Sequence, residues 1–252
     1  MEAYLWAFKR RARFHHCISY CTFRAEVDRL AALRKRYSRE VAPITLLPVL
    51  AKATALTLER NPAANAILFK RLFGYRIVAF DQADVNLPVT RMVGGEPFTF
   101  LLTVRGAARK SVAEIQQEIT QVMRSPLDAL PQARRIRRFA AAPLWLARLF
   151  HARMTRDAAF YVRNAGTCAL TTLEAAGCED YFPVGPASVV FGIGRVGPEA
   201  VVRGGAVVAR RMMKFSLAID NYVITGPVAA KLARDFTQIV ESGAFLEDEL
   251  AR

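Results

Sequence analysis

The sequence predicts an α+β fold in which a mixed β-sheet is flanked by helices, built as a single domain over residues 1–252. Two observations carry that expectation. Segments with apolar residues at helical spacing lie apart from the strand-like runs, without regular strand–helix alternation. After an opening strand and two helices, the strand-like runs come in two groups with helices between them, punctuated by turn signals such as Gly74 and Gly94-Gly95. No internal repeat, linker or low-complexity segment interrupts the chain.

Taken in order, residues 1–16 form a basic, aromatic leader. Cys17 to Ala25 then reads as a strand rich in Tyr, Thr and Phe. Val27 to Tyr37 places apolar residues on one side of a helix and charges on the other. Thr45 is placed to cap a second helix through Leu58, apolar nearly all round and therefore expected to be buried. Asn61-Pro62 ends it. Strands are expected at Ala66–Lys70, Tyr75–Phe80, Val85–Thr90 and Phe98–Val104. Ser111 with Glu114 forms a capping box that opens a helix through about Met123. A basic amphipathic helix is expected from about Gln132 to His151, kinked at Pro143. Strands follow at Ala159–Val162, Ala187–Ile193, Ala206–Val208 and Lys214–Ile219. The closing helix carries Val228, Leu232, Phe236, Ile239 and Val240 along one face.

Composition narrows the function. Hydrophobic residues make up 53% of the chain and charged residues 23%, as in a folded protein. The longest apolar stretch, Phe139 to Phe150, is interrupted by Pro143 and Arg148 and is too short to span a bilayer. The N-terminus has its acid first and its bases last, the reverse of a secretory signal, so a cytoplasmic location is expected. Cys17, Cys21, Cys168 and Cys178 are too few and scattered for a disulfide framework, and no cluster at metal-ligand spacing accompanies them. Thirty-six Lys and Arg against 22 Asp and Glu leave a formal charge of +14, which favours an anionic partner. The bases fall at helical spacing, as in Arg134, Arg135, Arg137 and Arg138, without a nucleic-acid-binding signature. A phosphorylated small molecule, an acidic protein or a solvated basic face fits better than nucleic acid.

One loop stands out near the end. The apolar run Ser216–Ile219 stops at Asp220, and Thr225-Gly226-Pro227 opens the last helix, with proline suited to a first helical position. A polar loop between a buried strand and a helix N-terminus is a common setting for reacting groups.

The succession of segments resembles the catalytic domain of dihydrolipoyl acyltransferases, the E2 component of 2-oxoacid dehydrogenases, and more distantly chloramphenicol acetyltransferase. The matching pieces run in the family's order over roughly residues 17 to 250. They are the first strand with the Leu30–Arg36 helix, the Thr45–Leu58 helix with Asn61–Asn65, Arg109–Ile115 and Phe160–Gly166. Val189–Arg195, Arg211–Leu217 and the closing loop with its helix complete the series.

The resemblance implies a coenzyme A-dependent acyltransferase fold assembled as a homotrimer, in some members extended to cubes or dodecahedra, with the active site in a channel between subunits. Coenzyme A, or an acyl group carried on it or on a carrier protein, is the implied co-substrate, with no covalently bound cofactor. The family's loop reads Asp-His-Arg-x-x-Asp-Gly. Its His is the general base, its second Asp orients neighbouring groups, and a Ser or Thr before an Asn-x-Gly turn stabilises the oxyanion. Here Asp220 and Gly226 are kept, whereas the His position holds Asn221, the Arg position Tyr222 and the second Asp position Thr225. Arg163 stands at the oxyanion position ahead of Asn164-Ala165-Gly166. Asn221 can orient a group by hydrogen bonding but has no basic nitrogen.

The candidate site is therefore Asn221, Arg163, Asp220 and Thr225. Arg163 would bind a carboxylate, phosphate or oxyanion, or pair with an acid such as Asp220. His15, His16 and His151 are not expected to replace the missing base. Cys168 follows the Asn-Ala-Gly turn, where a thiol beside Arg163 would be activated, although a buried structural cysteine is the preferred reading. Two functions follow: an acyltransferase-superfamily protein with non-standard chemistry on an acyl thioester, or a catalytically inactive scaffold or regulatory subunit that keeps the fold. No lipoyl or peripheral subunit-binding segment precedes residue 17, so membership of a full 2-oxoacid dehydrogenase complex is not expected on this chain alone.

Overall fold

The computed structural model describes residues 17–173 and 176–251, so the basic leader with His15 and His16 lies outside the described residues. The main sheet has six strands in the order β1 (Ile18–Glu26), β8 (Ala206–Asp220), β7 (Val189–Arg203), β6 (Cys168–Thr172), β4 (Val85–Val93) and β5 (Glu96–Val104). It is mixed, as expected: β6 runs parallel to both β7 and β4, and the other neighbours are antiparallel. A separate hairpin pairs β2 (Ala66–Lys70) with β3 (Tyr75–Ala79).

The helices are α1 (Asp28–Glu40), α2 (Leu46–Glu59), α3 (Val112–Arg124), α4 (Pro131–Ala140), α5 (Leu144–Arg156), α6 (Ala158–Asn164), α7 (Gly226–Ser242) and α8 (Ala244–Leu250). α2 is buried on almost every side, with Val49, Leu50, Ala51, Ala53 and Ala55 closed to solvent, and it packs against α3 and α7. That is what an all-round apolar helix requires. α7 docks on the sheet through Phe236, whose ring centroid lies 4.8 Å from those of both Phe191 on β7 and Phe215 on β8. This aromatic contact anchors the helix that begins at the end of the polar loop.

Polar groups lock the helical layer together. Glu249 on α8 accepts a hydrogen bond from Tyr37 Oη on α1 and from the Val112 amide opening α3, each at 2.9 Å, and pairs with Lys52 on α2. Burial, then the bond to Glu249, pushes the Tyr37 phenol up to about 12. The capping box at Ser111 and Glu114 forms as the spacing predicts. Thr45 does occupy the N-cap of α2, but its hydroxyl donates to Gln116 Oε1 at 3.0 Å instead of capping.

Four local expectations change. Residues 159–162 lie in helix α6, not in a strand. Asp157 Oδ1 accepts from the Phe160 amide at 2.9 Å and starts a helix that overrides the strand preference of Phe160, Tyr161 and Val162. Pro143 separates two helices, α4 and α5, where one kinked helix is expected, because Pro143 itself is extended (ψ 149°). Strand β6, whose Cys168 and Leu170 are buried, is an addition. Strand β8 is continuous across Ala209–Met213, where the exposed outer arm of the β7–β8 hairpin carries Arg210 and Arg211.

Gly192 and Gly194 on β7 leave room for the segment before it to cross the sheet. A Cβ at Gly192 would sit 2.7 Å from Tyr181 O, and one at Gly194 would sit 2.4 Å from Glu179 O. Ser216 Oγ ties the same segment down through Tyr181 O.

Candidate active site

Both stretches singled out in the sequence reach the same end of the sheet. β8 finishes at Asp220 opposite Ile18, Val189 begins β7 opposite Ile219, and β6 begins at Cys168 one residue ahead of the Ala169–Val190 pair. The loop after β8 and the turn before β6 are thus separated by one intervening strand, about 10 Å at ordinary strand spacing.

The loop is held from within and from β1. Asp220 is 1% exposed, and its Oδ1 accepts from the Tyr222 amide at 3.0 Å and the Cys17 amide at 3.4 Å. Its backbone accepts from Val223 and Ile224 and donates to Ser188 O. Asp220 therefore shapes the connection into α7. Asn221 is exposed. Its Nδ2 donates to Cys17 O at 3.0 Å and to Ser19 Oγ at 2.5 Å, and its amide donates to Cys17 O at 2.8 Å. Both side-chain protons are thereby engaged, while Oδ1 accepts no hydrogen bond among the described residues. Thr225 is the extended N-cap of α7, with an exposed side chain that makes no capping bond. Tyr222 is 63% exposed.

The turn is fixed by residues that the sequence does not single out. Gly166 donates to Asn86 Oδ1 at 2.9 Å, and a Cβ there would lie 2.3 Å from Asp84 O. Only glycine fits so close to the neighbouring backbone. Asp84 and Asn86 flank the start of β4 and are 5% and 1% exposed. Asp84 accepts from the Gly106 amide at 2.9 Å and from Arg105 Nη1 at 2.7 Å. Arg105 in turn donates to Val162 O at 2.5 Å and Arg163 O at 3.1 Å, satisfying carbonyls at the C-terminus of α6. A buried carboxylate, a bridging arginine and a glycine contact thus position Arg163 and Asn164. Their partners are tens of residues apart in sequence, so only the hydrophobic start of β4 marks the place.

The Arg163 side chain is exposed, and its Nε donates to Ala159 O at 3.3 Å. Of the two readings open to it, pairing with Asp220 does not occur: Arg163 forms no ion pair among the described residues. Its guanidinium keeps donors free for an anionic group. Cys168 is fully buried, with its thiol against Asp84 O at 3.7 Å. Burial, and then the Asp84 charge, push that thiol far up, in agreement with the preferred reading of a buried structural cysteine. His151 lies on α5. No group of three or more His, Cys, Asp or Glu among the described residues is arranged to hold a metal. None of the helices described is long and apolar enough to cross a membrane.

The arrangement can bind and orient a group through an amide acceptor at Asn221 and offer guanidinium donors to developing negative charge at Arg163. Among the described residues it has no basic side chain at the loop.

Comparison with known proteins agrees with the fold. The chain is 27% identical over 230 residues to the dihydrolipoyllysine-residue acetyltransferase component of the pyruvate dehydrogenase complex of Bacillus subtilis, covering 85% of this chain. It is 24% identical over 227 residues to the corresponding protein of Staphylococcus aureus. The alignments cover 43% of each of those relatives, so the chain spans less than half their length. Among solved structures, the dihydrolipoamide acetyltransferase of Azotobacter vinelandii superposes with a TM-score of 0.69 at 18% identity, covering 94% of this chain and 86% of that one. Chloramphenicol acetyltransferase superposes with a TM-score of 0.51 at 15% identity, covering 92% and 94%. The family model of the 2-oxoacid dehydrogenases acyltransferase (catalytic domain) matches residues 11–129 and 152–246. The chain is a member of that acyltransferase catalytic-domain family and has its coenzyme A-acyltransferase fold.

Proposed function

We propose that this protein binds an acyl thioester, linked to coenzyme A or to a carrier protein, in a channel between neighbouring subunits of a homotrimer, and acts on it without a histidine base. The observation that carries the reading is the state of the two replaced positions. Among the described residues Asn221 Oδ1 accepts no hydrogen bond and the Arg163 guanidinium is engaged only through Nε with Ala159 O, and both side chains are exposed and polar. A site retired to a scaffold role would more naturally fill these positions with apolar side chains.

In this mechanism Asn221 Oδ1 accepts a hydrogen bond from the incoming thiol or hydroxyl and aligns it with the thioester carbonyl. The proton leaves to water, because an amide cannot take it. Arg163 donates to the carbonyl oxygen as it gains charge, and the intermediate collapses with departure of the original thiolate. A thiol acceptor with an ordinary pKa of about 8.5 is a few per cent ionised at neutral pH, so the reaction is slowed but not stopped. Asp220 acts by shaping the loop, and Thr225 supplies an exposed hydroxyl at the start of α7. Arg163 also suits an acidic group such as the phosphates of coenzyme A.

The test is calorimetric and thermal-shift titration with coenzyme A and acyl-coenzyme A at physiological salt. Binding of either supports the reading. Failure to bind both, with a channel closed in a crystal structure, sinks it and leaves the inactive scaffold. A monomer by light scattering at micromolar concentration would remove the intersubunit channel.

A further inference from the structure

Residues 130–151 lie between the two stretches matched by the family model and contain α4 and most of α5. This segment lines a cleft of about 620 Å³ between α4, α5 and α6. Its origin is a seam between two packing units. α4 is anchored on the main core through Leu130, Ala133 and Ile136. α5 is instead anchored on a second cluster, through Met154 against Ile67, Phe69 and Tyr161. Neither unit fills the space between the two helices.

The lining combines two chemistries. Leu146, Leu149 and Phe160 supply an apolar wall, with Leu146 40% and Leu149 58% exposed. Arg134, Arg138 and Arg153 supply cations. Arg153 lies over the Phe160 ring at 4.7 Å and contacts Asp157 at 3.4 Å. Arg134 and Arg138 have no acidic partner among the described residues. They stand four apart on α4, a spacing at which like charges repel and an anion between them is stabilising. Residues 130–156 hold seven arginines and no acidic residue, which is half of the chain's +14. An apolar wall beside Arg134 and Arg138, in a cleft of ligand size, is complementary to one kind of small molecule.

We infer that the cleft binds a single anionic amphiphile, a long acyl or alkyl chain bearing a phosphate or carboxylate head. The chain lies along Leu146, Leu149 and Phe160, and the head lies between Arg134, Arg138 and Arg153. This does not depend on the acyl-transfer reading.

Calorimetry of the full chain with dodecyl phosphate, kept below its micellar concentration, tests the inference. Expected is one site per chain, with no comparable binding of inorganic phosphate or dodecyl maltoside. The double variant Arg134→Gln/Arg138→Gln weakens it at least about tenfold. Leu149→Gln weakens it at least about threefold through the lost chain contact. These three positions are exposed, so the fold should persist, as circular dichroism would verify, and Leu146→Gln serves if Leu149→Gln misfolds. Equal binding of phosphate alone or of the neutral maltoside overturns the inference, as does unchanged affinity in the variants. Binding to phosphatidylglycerol vesicles without binding of monomeric dodecyl phosphate overturns it in favour of a membrane surface. A change of oligomeric mass in Leu149→Gln, with no ligand bound by the wild type, overturns it in favour of a second copy of the chain.

Discussion

Replacing Asn221 separates a working site from a relic. In Asn221→Ala, Nδ2 no longer donates to Cys17 O or Ser19 Oγ. Cys17 O keeps the Asn221 amide at 2.8 Å, and the exposed loop lets water reach Ser19. The structural loss is therefore about 1 kcal/mol, a fall in Tm of roughly 2–4 °C for a chain of this size. If Oδ1 aligns the nucleophile, turnover of an acyl-coenzyme A falls about tenfold, the value of one well-placed neutral hydrogen bond. Asn221→His makes the sharper test. Its Nδ1–H can donate to Cys17 O as Nδ2 does, leaving Nε2 to take the proton, and turnover should rise about 10²–10⁴-fold. Free coenzyme A should be quantified by mass spectrometry, since the exposed Cys17 would react with a thiol dye. Turnover within twofold of wild type in both variants, with the small Tm shift present in Asn221→Ala, would refute the reasoning and leave Asn221 a structural residue.

Other expectations concern the frame of the site. Gly166→Ala forces a Cβ to within 2.3 Å of a backbone carbonyl and should cost at least about 2 kcal/mol in urea denaturation while displacing Arg163. In the folded state Cys168 should resist thiol reagents at pH 8 while Cys17 reacts, and labelling of both before unfolding would contradict its burial. Glu249→Ala leaves Lys52 buried without its partner and should cost about 3–5 kcal/mol, measured by the same denaturation. Ser111→Ala should cost about 1 kcal/mol near neutral pH. The Ser111 amide and hydroxyl hold Glu114 below its ordinary 4.5, so its contribution is present above that value and is lost as pH falls through the lower, folded-state value. Ser111→Ala keeps the amide's bond to the Glu114 carboxylate and removes only the hydroxyl's, so the Tm difference from wild type should shrink in part below about pH 4.5; a constant difference from pH 6 to pH 3 would argue against that hydroxyl bond.

What could be determined from the sequence by itself was local or resided in the order of segments. Helical periodicity marked α1 and α7, an apolar run behind Thr45 marked α2, strand-like runs between glycine turns marked β2 to β5, and the Ser111–Glu114 spacing marked a cap, because each signal is complete within a few residues. The order of those pieces pointed to the family, and the content of one loop pointed to Asn221, since an amide in place of an imidazole changes chemistry whatever surrounds it. Tertiary structure decided the rest. Whether Phe160–Val162 is helix or strand depended on an Asp157 cap and on packing of Tyr161 against Phe69, about 90 residues distant in the chain. The burial of Cys168 and the engagement of Asn221 by Cys17, 204 residues away, follow only when strands from opposite ends of the chain share one sheet. Asp84, Asn86 and Arg105, which hold the turn beneath Arg163, carry no motif; long-range hydrogen bonds in a closed interior make them a unit, and those exist only after the chain has folded.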